Sequence, residues 1–196
     1  MELTPGQLRL VCDRPLLAAK TQAAATLTRN LHGLAGTLRA EVRGHAPGWV
    51  VPEGFDPEAF QVARGENLDE TPYQYLDCPR HFSRDGVFAF RVLIWWGRSV
   101  NACWLLKGER LPVWRERLRA LPVADRPDGV GLWLGADPWD WAGFTPLHRA
   151  DWCAVAERDF VKLGIRRELS APILAPDGLR DAAMMAFRAG QPLLSA

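Results

Sequence analysis

Leu17, Ala24, Leu27, Leu31, Leu34, Leu38 and Val42 recur at steps of seven, three, four, three, four and four, which draws one apolar stripe along a helix. Asp13 is a natural N-cap, and Pro15 stands in a first turn where its missing N–H costs nothing. The helix therefore starts here and runs to about Val42. At 1.5 Å per residue it extends roughly 40 Å, more than a compact domain of this size needs. Its stripe or overhang is a candidate docking or self-association element, the alternative being packing along the chain's own sheet. Gly33 and Gly36 weaken its middle and leave room for another backbone.

Downstream the period falls to two. Phe88, Phe90, Val92, Ile94 and Trp96 alternate with Ala89, Arg91, Leu93 and Trp95, and a second apolar run spans Val100 to Leu106. The pattern predicts a β-hairpin over about 87–106. Gly97-Arg98 suits a two-residue turn, which pairs Arg91 with Trp104 and Asn101 with Ile94. Both faces of the hairpin are then largely apolar, so it belongs in the middle of a sheet covered on both sides. Arg91 would lie over an indole ring and would need a carboxylate partner, for which Asp77 is the candidate.

Residues 43–72 are punctuated by Gly and Pro and read as a long loop with at most one short helix near 57–63. A short helix over 112–121, a strand over 130–134 and an aromatic turn at "ADPWDWAGF" follow. Another helix starts after Pro146 or nearer Trp152, and 157–169 fits helix or strand. A last helix begins at Pro176-Asp177, with Leu179, Ala182, Ala183, Ala186 and Phe187 on its apolar side. The expectation is an α+β fold, a small antiparallel sheet built on the central hairpin and packed with helices. It divides into a helical segment, 1–43, and an α+β region, 44–196, forming one structural unit.

Composition narrows the functional classes. With 48% hydrophobic and 24% charged residues the chain is ordinary globular material, and its net charge of +1 lacks the basic excess that nucleic-acid binding requires. Four cysteines without a C-x-x-C, no signal-peptide pattern and no uncharged run of bilayer length point to a soluble cytoplasmic protein with free thiols and no membrane partner. Of nine tryptophans, eight fall between Trp95 and Trp152, which reads as a Trp-rich core or as an aromatic-lined groove.

Chemistry-bearing constellations are sparse. Cys78-Pro79-Arg80-His81 places a thiol near Arg80 and His81, which could lower its pKa, and His148 with Asp151 would complete a Cys-His-Asp arrangement if folding joined them. Cys78, His81, His148 and Cys153 have the ligand types of a zinc site without its paired spacing. A buried, inert thiol is the competing reading of Cys78. Glu66, Asp69 and Glu70 lack the spacing of a calcium loop. Asp137, Asp140 and Asp151 are a glycosidase set only on paper. Phosphate-binding, dinucleotide, zinc-protease and nucleophile-elbow motifs are missing, so no cofactor and no metal is assigned.

"PYQYLDCPRHF" and then "FAFRVLIWWG" resemble the pattern PYxxLDxPRxF...FAxRxxxWWG of an uncharacterised family of small bacterial proteins. The resemblance covers about residues 72–108, with a looser echo in "DPWDW". That family has an aromatic residue where this chain has Cys78, which argues against a nucleophile there. The resemblance brings no activity. It draws attention to Tyr73, Asp77, Pro79, Arg80, Arg91 and Trp96. Asp77, Arg80 and Arg91, roofed by Trp96 or Trp104 and walled by Tyr73, would form either a satisfied charge network or a pocket for a small anion. Two functions follow. One is a non-enzymatic component or adaptor of a protein assembly, meeting its partner or a second copy through the N-terminal helix. The other is a small enzyme or anionic-ligand-binding protein using the Asp/Arg/Trp region.

Overall fold

The computed structural model describes residues 2–122, 128–150 and 152–196. In chain order it has α1 (Pro5–Cys12), α2 (Arg14–His45), β1 (Gln61–Leu68), β2 (Thr71–Phe82), β3 (Val87–Trp95), β4 (Ser99–Lys107), α3 (Leu111–Ala120), β5 (Val130–Trp133), β6 (Phe144–Pro146), α4 (Trp152–Glu157), β7 (Phe160–Glu168), α5 (Ala171–Leu174) and α6 (Pro176–Leu194). The seven strands form one sheet in the order β1-β2-β3-β4-β7-β5-β6, with every neighbouring pair antiparallel. The fold is α+β, with a long N-terminal helix and a sheet larger than the small one expected. None of the described helices is long and apolar enough to cross a membrane.

Two features of the sheet differ from the sequence reading. Where 43–72 reads as loop, β1 pairs with β2. The two strands are joined through Asp69 and Glu70, both with positive φ, 49° and 63°. That geometry belongs to a tight hairpin turn and is usually announced by Asn-Gly, so Asp-Glu conceals it. Gly65 in β1 has no side chain because the Tyr73 ring occupies the space, 2.4 Å from where a Cβ would stand.

The second difference is the β3–β4 turn. It holds three residues, Trp96, Gly97 and Arg98, because Trp95 pairs with Ser99. Gly97 sits at φ +70°, and the Arg98 N–H donates to the Trp95 carbonyl at 3.1 Å. Arg91 therefore faces Cys103, and Trp104 faces Phe90. Because side chains alternate, this one-residue change puts Trp104 on the opposite face of the sheet from Arg91.

One face carries the larger core. Leu31, Leu34, Ala35, Leu38 and Val42 of α2 pack there with Leu179, Ala183, Phe187 and Leu193 of α6, and with Trp114 and Leu118 of α3. Trp104 stands at its centre, with its ring 5.5 Å from Trp49 and 5.2 Å from both Phe90 and Phe187. Its indole N–H donates to the Phe187 carbonyl at 3.1 Å, which satisfies the polar atom that so deep a Trp carries. Gly190 of α6 gives that ring room, since a Cβ there would lie 2.1 Å from Trp104 Cδ1. The chain ends close against the segment after α2. Val50 N–H donates to Leu194 O and Ala196 N–H to Gly48 O, each at 2.6 Å.

Candidate functional site

The second face of the sheet has a smaller apolar cluster, Leu93, Trp95, Cys103, Leu105, Trp133 and Trp141. A single row of the antiparallel register runs across this face as Asp77, Arg91, Cys103, Gly164 and Gly131. Asp77 and Arg91 join in a two-pronged pair, Nε to Oδ1 and Nη2 to Oδ2, both at 2.7 Å. Their side chains are 1% and 11% exposed, so the pair is held out of water. The guanidinium carbon lies 4.1 Å from the Tyr75 ring centre and 4.9 Å from that of Trp139. Burial pushes the Arg91 pKa down, but the Asp77 hydrogen bonds and charge more than offset it and the pKa ends above its ordinary value.

The six expected site residues separate. Asp77 and Arg91 come together as expected, and Tyr73 stacks on Tyr75 along the same face, with ring centres 6.2 Å apart. Arg80 does not join them. The strand register shifts between Asp77 and Arg80, and the Arg80 guanidinium turns onto Phe82, 4.7 Å from its ring centre. Trp96 and Trp104 roof nothing here, because both lie on the helix-covered face. The Trp96 indole N–H donates to Gln74 Oε1 at 3.1 Å, and Gln74 in turn holds the Ala24 carbonyl and Thr28 Oγ1 of α2. Tyr75 and Trp139 take the place assigned to Trp96 and Trp104.

The sequence reading passed over Lys162. It lies on β7 and is among the largest fully buried side chains. Its Nζ donates to the carbonyls of Pro138 and Asp140, at 3.0 and 2.8 Å, and sits 3.3 Å from the Trp141 ring centre and 5.2 Å from that of Trp133. No carboxylate pairs with it among the described residues. Burial, with Arg91's charge adding to it, lowers the Lys162 pKa to about 8, while the nearby Cys103, Asp140 and Asp137 pull weakly the other way. The only available signal was that a chain with three lysines puts one inside "FVKLGI", an apolar run.

Lys162 holds down the loop 134–143, which covers this face. The loop is built by its own acids. Asp137 Oδ1 accepts from Trp139 N–H and Asp140 N–H, at 2.7 and 3.0 Å. The Asp140 carboxylate accepts from Ala136 N–H and Ala142 N–H, at 3.3 and 2.8 Å. These aspartates shape a loop cover, which is a structural use of the residues that suggested a glycosidase.

The thiol at Cys78 is placed for packing. Cys78 is buried in the helix-side core, and burial pushes its pKa up to about 12, so it is a thiol at neutral pH. Cys153 is exposed, and Asp151 lies outside the described residues. Among the described residues no three His, Cys, Asp or Glu side chains gather closely enough to hold a metal ion. Five surface clefts stand out, and neither Asp77 nor Arg91 lines any of them. The chemistry this face supports is closure, with donors and acceptors matched inside it.

Among the described residues, six of the nine exposed large hydrophobic side chains lie in the N-terminal arm. Every residue from 2 to 23 is exposed, whereas the second half of α2 is core. Leu3, Leu8, Leu10, Val11, Leu16 and Leu17 are 42–60% exposed. The arm is nonetheless well formed. Thr4 and Gln7 make a reciprocal capping box at the start of α1, and Asp13 Oδ1 accepts the Leu16 N–H at the start of α2. Lys20 ties the arm's root to Glu66 of the edge strand β1 at 2.6 Å. Comparison of the chain with protein-family models, with curated proteins and with solved structures finds no match.

Proposed function

We propose that this protein is a non-enzymatic component of a protein assembly, and that residues 2–23 are its docking element. The observation that carries the reading is the arm itself. Leu8, Leu10, Val11, Leu16 and Leu17 stand in water on capped helix, with Leu3 just ahead of the first cap, while the apolar stripe of α2 is buried from Leu31 onward. Isolated helices of this length are marginal in water, and an apolar face of this extent marks an interaction site. About 20–30 residues a side is the size of a standard stable interface, which one such arm supplies.

The ligand-binding alternative has no comparable support. The fork of Arg91 that would grip an anion is filled by Asp77. The test is deletion of residues 1–23. Cutting at residue 43 would remove Leu31, Leu34, Leu38 and Val42 from the core, so the shorter cut is the informative one. The expected result is an unchanged folded signal and melting temperature, with loss of oligomeric mass or of a co-purified chain. A truncated protein whose mass and co-purified proteins match the full chain's would overturn the reading.

A further inference from the structure

We infer that loop 134–143 is a proton-operated cover, which lifts off the sheet while Lys162 is charged and seats when Lys162 is neutral. The loop is built to move as one piece. It joins β5 to β6, and the Leu134 N–H closes its neck by donating to the Gly143 carbonyl at 3.5 Å. Inside it, Asp137 and Asp140 accept from the loop's own backbone N–H groups. Gly143 at the neck has φ +69°, a conformation that suits a residue without a side chain. Among the described residues, the only hydrogen bonds from 135–142 to the rest of the protein are the two that Lys162 donates to Pro138 and Asp140. Trp141 is the buried apolar anchor, while Trp139 leans on Arg91 and Phe82 from outside. Opening also gives water to the Trp133 indole N–H, which is buried beside Trp141 with no acceptor.

The amine decides the sign. A neutral amine keeps two hydrogens, as many as the two carbonyls need, so losing the proton costs the seated loop neither bond. The ammonium gains the face of Trp141, 3.3 Å from its ring centre, but is held out of water with no carboxylate beside it among the described residues. Burial wins, and the pKa of the seated form falls to about 8. Once the loop lifts, the amine regains water and its ordinary value of 10.5. The open form therefore binds the proton more tightly, and opening diminishes as pH rises from 8 toward 10.5. The other groups facing this amine do not reverse that. Arg91 of β3 stays charged against Asp77 of β2, and burial holds the Cys103 thiol of β4 up at about 12. The Asp137 and Asp140 carboxylates of the loop are taken by its own N–H groups.

The chain carries its own reporters. Cys103 is fully buried in the cluster that Trp141 closes, Cys78 is equally buried on the opposite face, and Cys12 is exposed. Timed alkylation of the full chain with iodoacetamide, read by peptide mass spectrometry, gives the rate at each thiol. Cys103 is expected to react faster than Cys78. Its rate relative to Cys12 should fall about fivefold from pH 7 to pH 9, a roughly tenfold fall from Lys162 halved by the titration of Cys103 itself. In Lys162→Met, with circular dichroism confirming the fold, that ratio should not fall. The wild-type profile stands as a test without the variant. A Cys103 that reacts no faster than Cys78 is reached only by unfolding of the whole molecule, which overturns the cover. A Cys103 rate that keeps pace with Cys12 from pH 7 to pH 9, or that falls equally in Lys162→Met, overturns Lys162 as its operator.

Discussion

The two faces of the sheet are built from the same strands and solve their burial in opposite ways. On one, α2, α3 and α6 supply a mainly apolar cover, with Gln74 as its buried polar side chain. On the other, the cover is the loop 134–143, and the buried charges Asp77, Arg91 and Lys162 are all on this side. The contrast follows from backbone accounting. A helix satisfies most of its own N–H and C=O groups, so the sheet beneath it can be mostly hydrocarbon and carry no charge. A loop brings unpaired carbonyls with it, and those of Pro138 and Asp140 find their donor in Lys162. A buried amine without a carboxylate partner is what an irregular cover demands here.

The sharpest way to break the comparison is at the centre of each face. Trp104→Ala should cost about 3–5 kcal/mol on the helix side, read by urea denaturation. Arg91→Leu on the loop side should cost about 3 kcal/mol, because Asp77 is left buried and unpaired. The charged face differs in being rescuable. Adding Asp77→Leu to Arg91→Leu should recover most of that loss, since removing both members of a buried pair is often near neutral. A double variant no more stable than the single would show that the pair holds the loop through more than mutual neutralisation.

Lys162 gives a smaller effect with a distinctive sign. Its folded pKa of about 8 lies below the ordinary 10.5, so the cost of burying its charge is fully present below pH 8. The cost lifts as pH rises from 8 toward 10.5, because the unfolded chain then binds the extra proton. Cys78 and Cys103, raised by burial from 9 to about 12, act in reverse and lose stability as pH climbs beyond 9. Lys162 should therefore contribute about 1 kcal/mol of added stability between pH 8 and 9, largely offset by the onset of the two thiols, before the net turns over. Lys162→Met should abolish that contribution and keep the later fall, as measured by denaturation at each pH. Smallest of all, Trp139→Ala should cost about 0.5–1 kcal/mol, since Trp139 is 44% exposed and contributes mainly its contact with Arg91. A larger loss would mean that the loop depends on Trp139 as an anchor.

Legibility in the sequence tracked how local the determining physics is. The stripe on α2 was readable because a helical period repeats over many residues, though it could not say that the stripe is core from Leu31, half-buried at Ala24 and Leu27, and exposed at Leu17. The need of Arg91 for a carboxylate followed from the cost of burying charge, and Asp77 was the acid in reach. Its aromatic neighbours were misassigned because Gly97-Arg98 admits two- and three-residue turns, and one residue of register exchanges the faces. β1 was hidden by a turn made of Asp69 and Glu70. Lys162 was hidden because the strand that buries it had no decisive period, and its acceptors are backbone carbonyls of a distant loop.

The unbroken length of α2 has a mechanical consequence. Its 32 residues form a rod of about 48 Å, packed on the sheet and core from Ala24 onward and exposed over residues 14–23. Beyond its last turn the chain is stitched to the C-terminus through Val50 and Leu194, beside the Trp49, Trp104 and Phe187 rings. A load applied to the arm is therefore delivered as torque to the centre of the molecule, with no joint between Arg14 and His45 to absorb it. The one joint lies farther out, at Asp13, where the backbone leaves helical geometry between α1 and α2.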